Sequence, residues 1–162
     1  VTGYFKDGNI IYGGRTDAAT RFIEPTLIEN VPLESPLMTE EIFGPVFPIV
    51  TFEDNFKERV IEFVTSREKP LAFYYFGKES DGWEIIRRTS SGGGCINDVI
   101  MHIANENVPF GGVGNAGMGR YHDKDSFDAF SHTRSIIATG KWIDLPFRYM
   151  PYKLFGLVKK IL

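Results

Sequence analysis

Val46-Phe47-Pro48-Ile49-Val50-Thr51-Phe52 is the stretch on which the fold turns. It is a short apolar run rich in β-branched residues and reads as a buried strand. Behind it, Asp54 is placed to cap a helix over Asn55 to Ser66. Phe56, Val60, Phe63 and Val64 recur there at i, i+4, i+7 and i+8 and make one apolar face. Lys69-Pro70 breaks that helix, and Leu71 to Phe76 is a second continuous apolar strand. Gly77 ends the strand. Ser80 or Asp81 then caps a second helix through about Thr89, with Trp83, Ile85 and Ile86 on its apolar side. After a turn over Ser90 to Gly94, Cys95 to Met101 reads as a third strand. The order β-α-β-α-β, with apolar strands and helical crossovers, predicts an α/β fold built on a parallel sheet.

On the N-terminal side of this unit, Asn9-Ile10-Ile11-Tyr12 is a short strand stopped by Gly13-Gly14. Asp17-Ala18-Ala19-Thr20 is a turn. Arg21 to Ile28 is extended, with Pro25 placing it at an edge or a bulge, and Asn30 to Pro36 is a loop. On the C-terminal side the pattern is lost from Ala104 to His132, a Gly-rich segment, and irregular segments of that length inside a domain are usually functional. Asp123 to Phe130 reads as a short helix and Arg134 to Thr139 as a strand outside the first series. Pro151 marks a boundary, and Tyr152 to Leu162 reads as a short amphipathic helix.

The chain has 162 residues, enough for one domain, and a chain of that size buries roughly 68–70% of its unfolded surface. With 43% hydrophobic and 24% charged residues it has a globular, not a disordered, composition. The net charge of −3, without a basic stripe, argues against nucleic acid as a partner. No apolar run reaches the roughly 18 residues that a membrane span needs. A single Cys forms no internal disulfide, which fits a reducing, cytoplasmic compartment. The first residue is Val1, and no signal-peptide pattern follows it, so the expectation is a segment of a longer protein.

The candidate chemistry lies just before the first strand, in Met38-Thr39-Glu40-Glu41-Ile42-Phe43-Gly44-Pro45. A carboxylate and a flat apolar ring two residues apart suit a ligand with a sugar diol beside an aromatic ring, such as a nicotinamide riboside. The plainer reading is a solvated Glu-Glu turn and a core Phe.

Several stretches resemble the aldehyde dehydrogenase superfamily. Beside Glu40-Glu41-Ile42-Phe43-Gly44-Pro45-Val46 they are Phe22-Ile23-Glu24-Pro25-Thr26-Leu27, Ser91-Gly92-Gly93, Asn97-Asp98-Val99-Ile100-Met101-His102, Pro109-Phe110-Gly111-Gly112-Val113-Gly114, Gly117-Met118-Gly119, and Ser126-Phe127 leading to Phe130-Ser131-His132. The Asn97–His102 form and the pair Tyr121-His122 are similar to the class 3 branch, which includes fatty aldehyde dehydrogenases. The resemblance runs over about residues 3–152. It implies NAD- or NADP-dependent oxidation of aldehydes to carboxylic acids, with medium- or long-chain aliphatic or aromatic substrates. It implies that Glu41 holds the ribose hydroxyls and Phe43 supports the nicotinamide. Asn97, Met101, Ile103, Phe110 and His122 would belong to the substrate channel, with Met101 and Ile103 on a strand end.

The same resemblance divides the chain. Residues 1–132 would be part of the catalytic domain, and 133–162 an oligomerisation strand (Arg134 to Thr139) with an amphipathic tail. A homodimer follows from it. The tail, which mixes Lys with apolar residues, would dock on protein or touch an anionic membrane surface peripherally. No stretch matches the family's nucleophile segment, its Glu-Leu-Gly-Gly base motif or its cofactor-phosphate loop. The expectation is therefore a C-terminal portion that is inactive alone, with the nucleophilic Cys upstream and no catalytic residue here. The alternative is a catalytically dead oligomerisation or regulatory module that pairs with intact subunits.

Four features that tempt a functional reading each have a plain structural one, and among the histidines His122, beside Tyr121 and a Gly-rich turn, has the best functional claim. Cys95 sits at a strand start among small and apolar neighbours, the profile of an inert Cys. Gly112-Val113-Gly114-Asn115-Ala116-Gly117 matches G-x-G-x-x-G, but no apolar strand precedes it and no acid follows about 20 residues on. Its glycines read as turn formers beside a pocket. His102, His122 and His132 lack metal-ligand spacing, so no metal site is expected. For Asn97, tying down a loop is the more frequent role of a side-chain amide at a strand end.

Overall fold

The computed structural model describes residues 1–142, 149–151, 156 and 159–160. The chain opens with a 3₁₀ turn, Thr2–Lys6, and then β1 (Asn9–Tyr12). A two-stranded ribbon follows, β2 (Thr16–Asp17) against β3 (Phe22–Ile23), and then β4 (Thr26–Glu29). After α1 (Pro36–Thr39) come β5 (Val46–Ile49), α2 (Phe56–Thr65), β6 (Ala72–Tyr75), α3 (Glu79–Arg88) and β7 (Gly93–Ile96). The short α4 (Met101–Ala104), a 3₁₀ turn over Gly114–Ala116 and α5 (Asp123–Ala129) complete the described elements.

The fold is mixed α/β, but the strands do not share one parallel sheet. β4 is the centre of a three-stranded sheet, antiparallel to β1 and parallel to β5. β6 and β7 form a separate parallel pair, in the register Phe73 with Gly94 and Tyr75 with Ile96. The β6–α3–β7 crossover is thus as expected, whereas β5 pairs backward with β4 and not forward with β6. Pro48 offers a reason, since it has no N–H for a ladder and suits an edge strand.

The core of the first sheet is Ile28, Val31, Leu37 and Val46, with Tyr4, Phe5, Met38 and Ile42 packed against it. Thr26, also fully buried, is satisfied on both sides: its hydroxyl accepts from Gly14 N–H at 3.0 Å and donates to the Glu24 carbonyl at 2.7 Å.

The second sheet is covered on both faces. Gly82 of α3 lies so close that a Cβ there would meet Tyr75 Cδ1 at 2.7 Å and Ile96 Cδ1 at 3.1 Å. On the other face, a Cβ on Gly93 would meet His102 of α4 at 2.7 Å. Ile85, not Trp83, is the fully buried residue of α3. Between the helices, Lys57 Nζ lies 2.5 Å from Glu84 Oε2 and 3.5 Å from Asp81 Oδ1, and Arg88 reaches Glu58 at 3.2 Å.

Other expectations need correction. α2 is capped at Asn55 (φ 50°), without a side-chain cap bond, and not at Asp54; its buried residue is Ile61, while Phe56 is half exposed. α3 starts after Lys78. The third strand stops at Ile96, because Asn97 (φ 57°) and Ile100 (φ 66°) take left-handed conformations that end a ladder. Met101 and Ile103 consequently lie on a helical turn and not on a strand end. Arg134 to Thr139 is not paired as a strand among the described residues, and Ile136 and Ile137 are exposed. The helix expected over Tyr152 to Leu162 lies largely outside the described residues.

Candidate functional site

The Glu-Glu-Ile-Phe stretch is positioned from its N-terminal side by α1. The Ser35 hydroxyl accepts from Leu37 N–H at 3.0 Å and donates to Asp7 Oδ2 at 2.6 Å, which caps the helix and ties it to the chain start. Pro36 is at N1, and Leu37 is buried. The chain then becomes extended at Glu40 (φ −106°, ψ 158°). Ile42 packs on the core. Beyond it, Gly44 N–H donates to the Ile42 carbonyl at 2.8 Å, Val46 N–H to Gly44 at 2.9 Å and Thr26 N–H to Pro45 at 2.8 Å. These bonds fix the Gly-Pro bend.

The two glutamates are thereby separated in role. Tyr4 Oη donates to Glu40 Oε2 at 3.2 Å, and desolvation followed by that carboxylate raises the tyrosine pKa above its ordinary value. Glu41 is exposed, and its carboxylate makes no hydrogen bond or ion pair among the described residues. Phe43 is 81% exposed. A free carboxylate and a bare ring therefore flank one core-anchored isoleucine. An acceptor and a flat apolar ring so placed fit a sugar diol next to an aromatic ring.

A second group of residues gathers around Phe110. Phe110 and Tyr121 exchange backbone hydrogen bonds of 3.0 and 2.9 Å, and this bridge closes the Gly-rich loop between them. Inside the loop the backbone folds on itself, since a Cβ on Gly112 would lie 2.1 Å from the Ala116 carbonyl oxygen. No long helix follows, so the G-x-G-x-x-G match is a tight turn and not a phosphate cradle.

The Phe110 ring stacks on His122 (6.3 Å, 28°) and tilts against His102 (5.4 Å). His122 and Ile103 line one open cavity of about 520 Å³, together with Ala104 and the polar Glu106, Asn107 and Asp123. Met101, at the start of α4, is exposed. Ile103, Phe110 and His122 are thus brought together, and Asn97 is not among them.

Asn97 instead serves its neighbours. Its Oδ1 accepts from Gly77 N–H at 2.7 Å, and its Nδ2 donates to the Gly77 carbonyl at 3.0 Å. This is the loop-anchoring role. Cys95 is partly buried, and its Sγ lies 3.7 Å from His102 Nδ1. His102 Nε2 is buried without a partner. Neither this contact nor the hydrogen bonds that His122 makes to the Ser126 hydroxyl and the Val108 carbonyl is announced by residue spacing. Among the described residues no group of three or more His, Cys, Asp or Glu could hold a metal.

Against known proteins, the model of the aldehyde dehydrogenase family matches residues 3–136. The chain belongs to the aldehyde dehydrogenase family. It is 45% identical over 146 residues to 4,4'-diaponeurosporen-aldehyde dehydrogenase of Staphylococcus aureus, covering 90% of this chain and 31% of that protein. It is 50% identical over 141 residues to aldehyde dehydrogenase family 3 member A2 of Rattus norvegicus, covering 86% and 29%. The dimeric NADP-preferring aldehyde dehydrogenase of Canis lupus familiaris is 49% identical over 138 residues, 85% of this chain and 30% of that one. The substrate-bound structure of Staphylococcus aureus AldH superposes with a TM-score of 0.84 at 43% identity, over 99% of this chain and 35% of that chain. This aldehyde dehydrogenase chain therefore has class 3 relatives and spans about a third of their length.

Proposed function

We propose that this chain is the C-terminal portion of an NAD- or NADP-dependent aldehyde dehydrogenase and carries the nicotinamide clamp and one wall of the substrate channel. The observation that carries the reading is the asymmetry of the glutamate pair: Glu40 is engaged by Tyr4, while Glu41 and Phe43 stand free on either side of the anchored Ile42. Glu41 would accept two hydrogen bonds from the ribose diol. Phe43 would give the nicotinamide a flat support. When bound, the nicotinamide supplies the hydride acceptor for aldehyde oxidation. The residues of this chain orient it, and orientation is where an enzyme gains much of its rate.

The channel wall is Ile103, Phe110 and His122, with Met101 beside it and Asn97 bracing the loop behind. Ile103, Met101 and Phe110 would offer apolar surface to medium- or long-chain aliphatic or aromatic aldehydes, beside the polar Glu106, Asn107 and Asp123. The nucleophilic thiol lies outside this chain, which alone is inactive. Residues 1–132 belong to the catalytic domain, and 133–162 carry a segment, unpaired among the described residues of this chain, that would form its strand in a homodimer, followed by the tail. Among the described residues no helix is long and apolar enough to cross a membrane. We place the enzyme in the cytoplasm, with the tail as its point of peripheral membrane contact.

The test is Glu41→Gln in the dehydrogenase that contains this segment. Single-turnover hydride transfer should slow tenfold or more while thiol attack on the aldehyde persists, on the order of a positioning loss of 1.4 kcal/mol or more. Unchanged hydride transfer would remove Glu41 from this role.

A further inference from the structure

We propose that Ser126 and the Val108 carbonyl are the positioning pair that holds His122 as the width-setting side chain of the aldehyde channel. The inference rests on the reading above that His122 lines that channel.

His122 has φ 97° and ψ 140°, a backbone region that is nearly the preserve of glycine. In the same loop, the positive angles of 61°, 151° and 76° are taken by Gly114, Gly117 and Gly119. At the fourth place the chain keeps a bulky ring instead, and the structure clamps it. His122 N–H donates to Ser126 Oγ at 2.9 Å, and Ser126 N–H donates back to the His122 carbonyl at 3.3 Å. The ring is clamped as well. Nδ1 lies 2.9 Å from the Val108 carbonyl oxygen, which can only accept, so Nδ1 carries the proton. Nε2 is then the ring's lone-pair acceptor in the neutral state, and it makes no hydrogen bond among the described residues. Phe110 stacks on one face, and Tyr121 packs roughly perpendicular to the ring with centroids 4.5 Å apart.

Backbone, ring nitrogen and ring face are thus fixed separately, and the side chain so fixed borders the 520 Å³ cavity beside Ile103. Ser126 touches neither cavity nor ligand; it acts through His122. Loss of its hydroxyl frees the strained backbone to relax toward φ < 0, which swings the ring off Phe110 and narrows or reshapes the channel. A short aldehyde, which does not reach the ring, senses this less than a long one.

The experiment compares KM and kcat for a series from short to long n-alkanals in the dehydrogenase that contains this segment, for Ser126→Ala, Ser126→Thr and His122→Ala. Ser126→Ala should raise KM for long aldehydes about two- to tenfold more than for short ones, and should move KM more than kcat. Ser126→Thr, which keeps the acceptor oxygen, should restore the preference. If Ser126→Ala does not fold, Ser126→Cys, near in size and a poor acceptor, is read by the same criteria. An equal change for all chain lengths, or no rescue by threonine, overturns the proposal. If His122→Ala shifts the preference and the serine variants do not, the positioning role alone fails. If His122→Ala leaves the preference unchanged, the channel reading beneath it fails as well.

Discussion

Replacing Asn97 by alanine separates a loop anchor from a substrate ligand. Asn97 follows β7 at φ 57°, and its amide makes two hydrogen bonds to one glycine, accepting from Gly77 N–H at 2.7 Å and donating to its carbonyl at 3.0 Å. Each is worth about 0.5–1.5 kcal/mol net, because water can replace it at this exposed position. Alanine also resists the left-handed conformation by roughly 1–2 kcal/mol relative to what asparagine tolerates. The sum is about 2–5 kcal/mol, or roughly 4–20 °C in Tm for a chain of this length. Asn97→Gly keeps the conformation and loses only the bonds, so it should fall less. Asn97→Asp keeps the acceptor but sets a carboxylate against the Gly77 carbonyl, and should resemble alanine. Urea unfolding measures the stabilities, and KM across several aldehydes measures the function. A stability change below about 0.5 kcal/mol for Asn97→Ala, combined with a raised KM, would refute the reasoning and return the amide to the substrate.

Other parts of the structure give sharp expectations. The Arg15 guanidinium, hydrogen-bonded to Glu24 at 2.7 and 3.0 Å, holds that carboxyl below its ordinary value of 4.5. Its contribution to stability is therefore complete above pH 4.5 and is lost as pH falls through the depressed value; Glu24→Gln should abolish that acid-side loss in urea midpoints measured across pH. Gly82→Ala should destabilise by about 1–3 kcal/mol in the same assay, although alanine is the better helix former by roughly 1 kcal/mol, because its Cβ meets Tyr75 at 2.7 Å. Ile85→Ala, at a fully buried site, should cost about 2–4 kcal/mol.

Local signals in the sequence suffice where local physics decides. β1 forms over Asn9–Tyr12, and the apolar run before Gly77 and the helix after it give β6 and α3. α5 also lies where its residues suggested. Reading failed where partners come from far along the chain. Which strand β5 joins depends on β4, and the Val46–Phe52 run does not carry that information. The ends of α2 and β7 are set by Asn55 and Asn97 in left-handed conformations, which short polar side chains allow but do not announce. The Glu-Glu-Ile-Phe motif was legible as a candidate, but only the Tyr4–Glu40 bond, across 36 positions, tells the two carboxylates apart. Ser126, four residues after His122 at the start of a helix, is a partner within reach of local sequence.

The most direct test of the account is NAD(P)H formation from aldehydes by the purified 162-residue chain. On the proposed reading the chain supplies a clamp and a channel wall but no nucleophile, and its only thiol, Cys95, lies against His102. The account predicts no turnover with short, long or aromatic aldehydes. Steady NAD(P)-dependent turnover that Cys95→Ser abolishes would contradict it, and would make Cys95 and His102 the reacting pair.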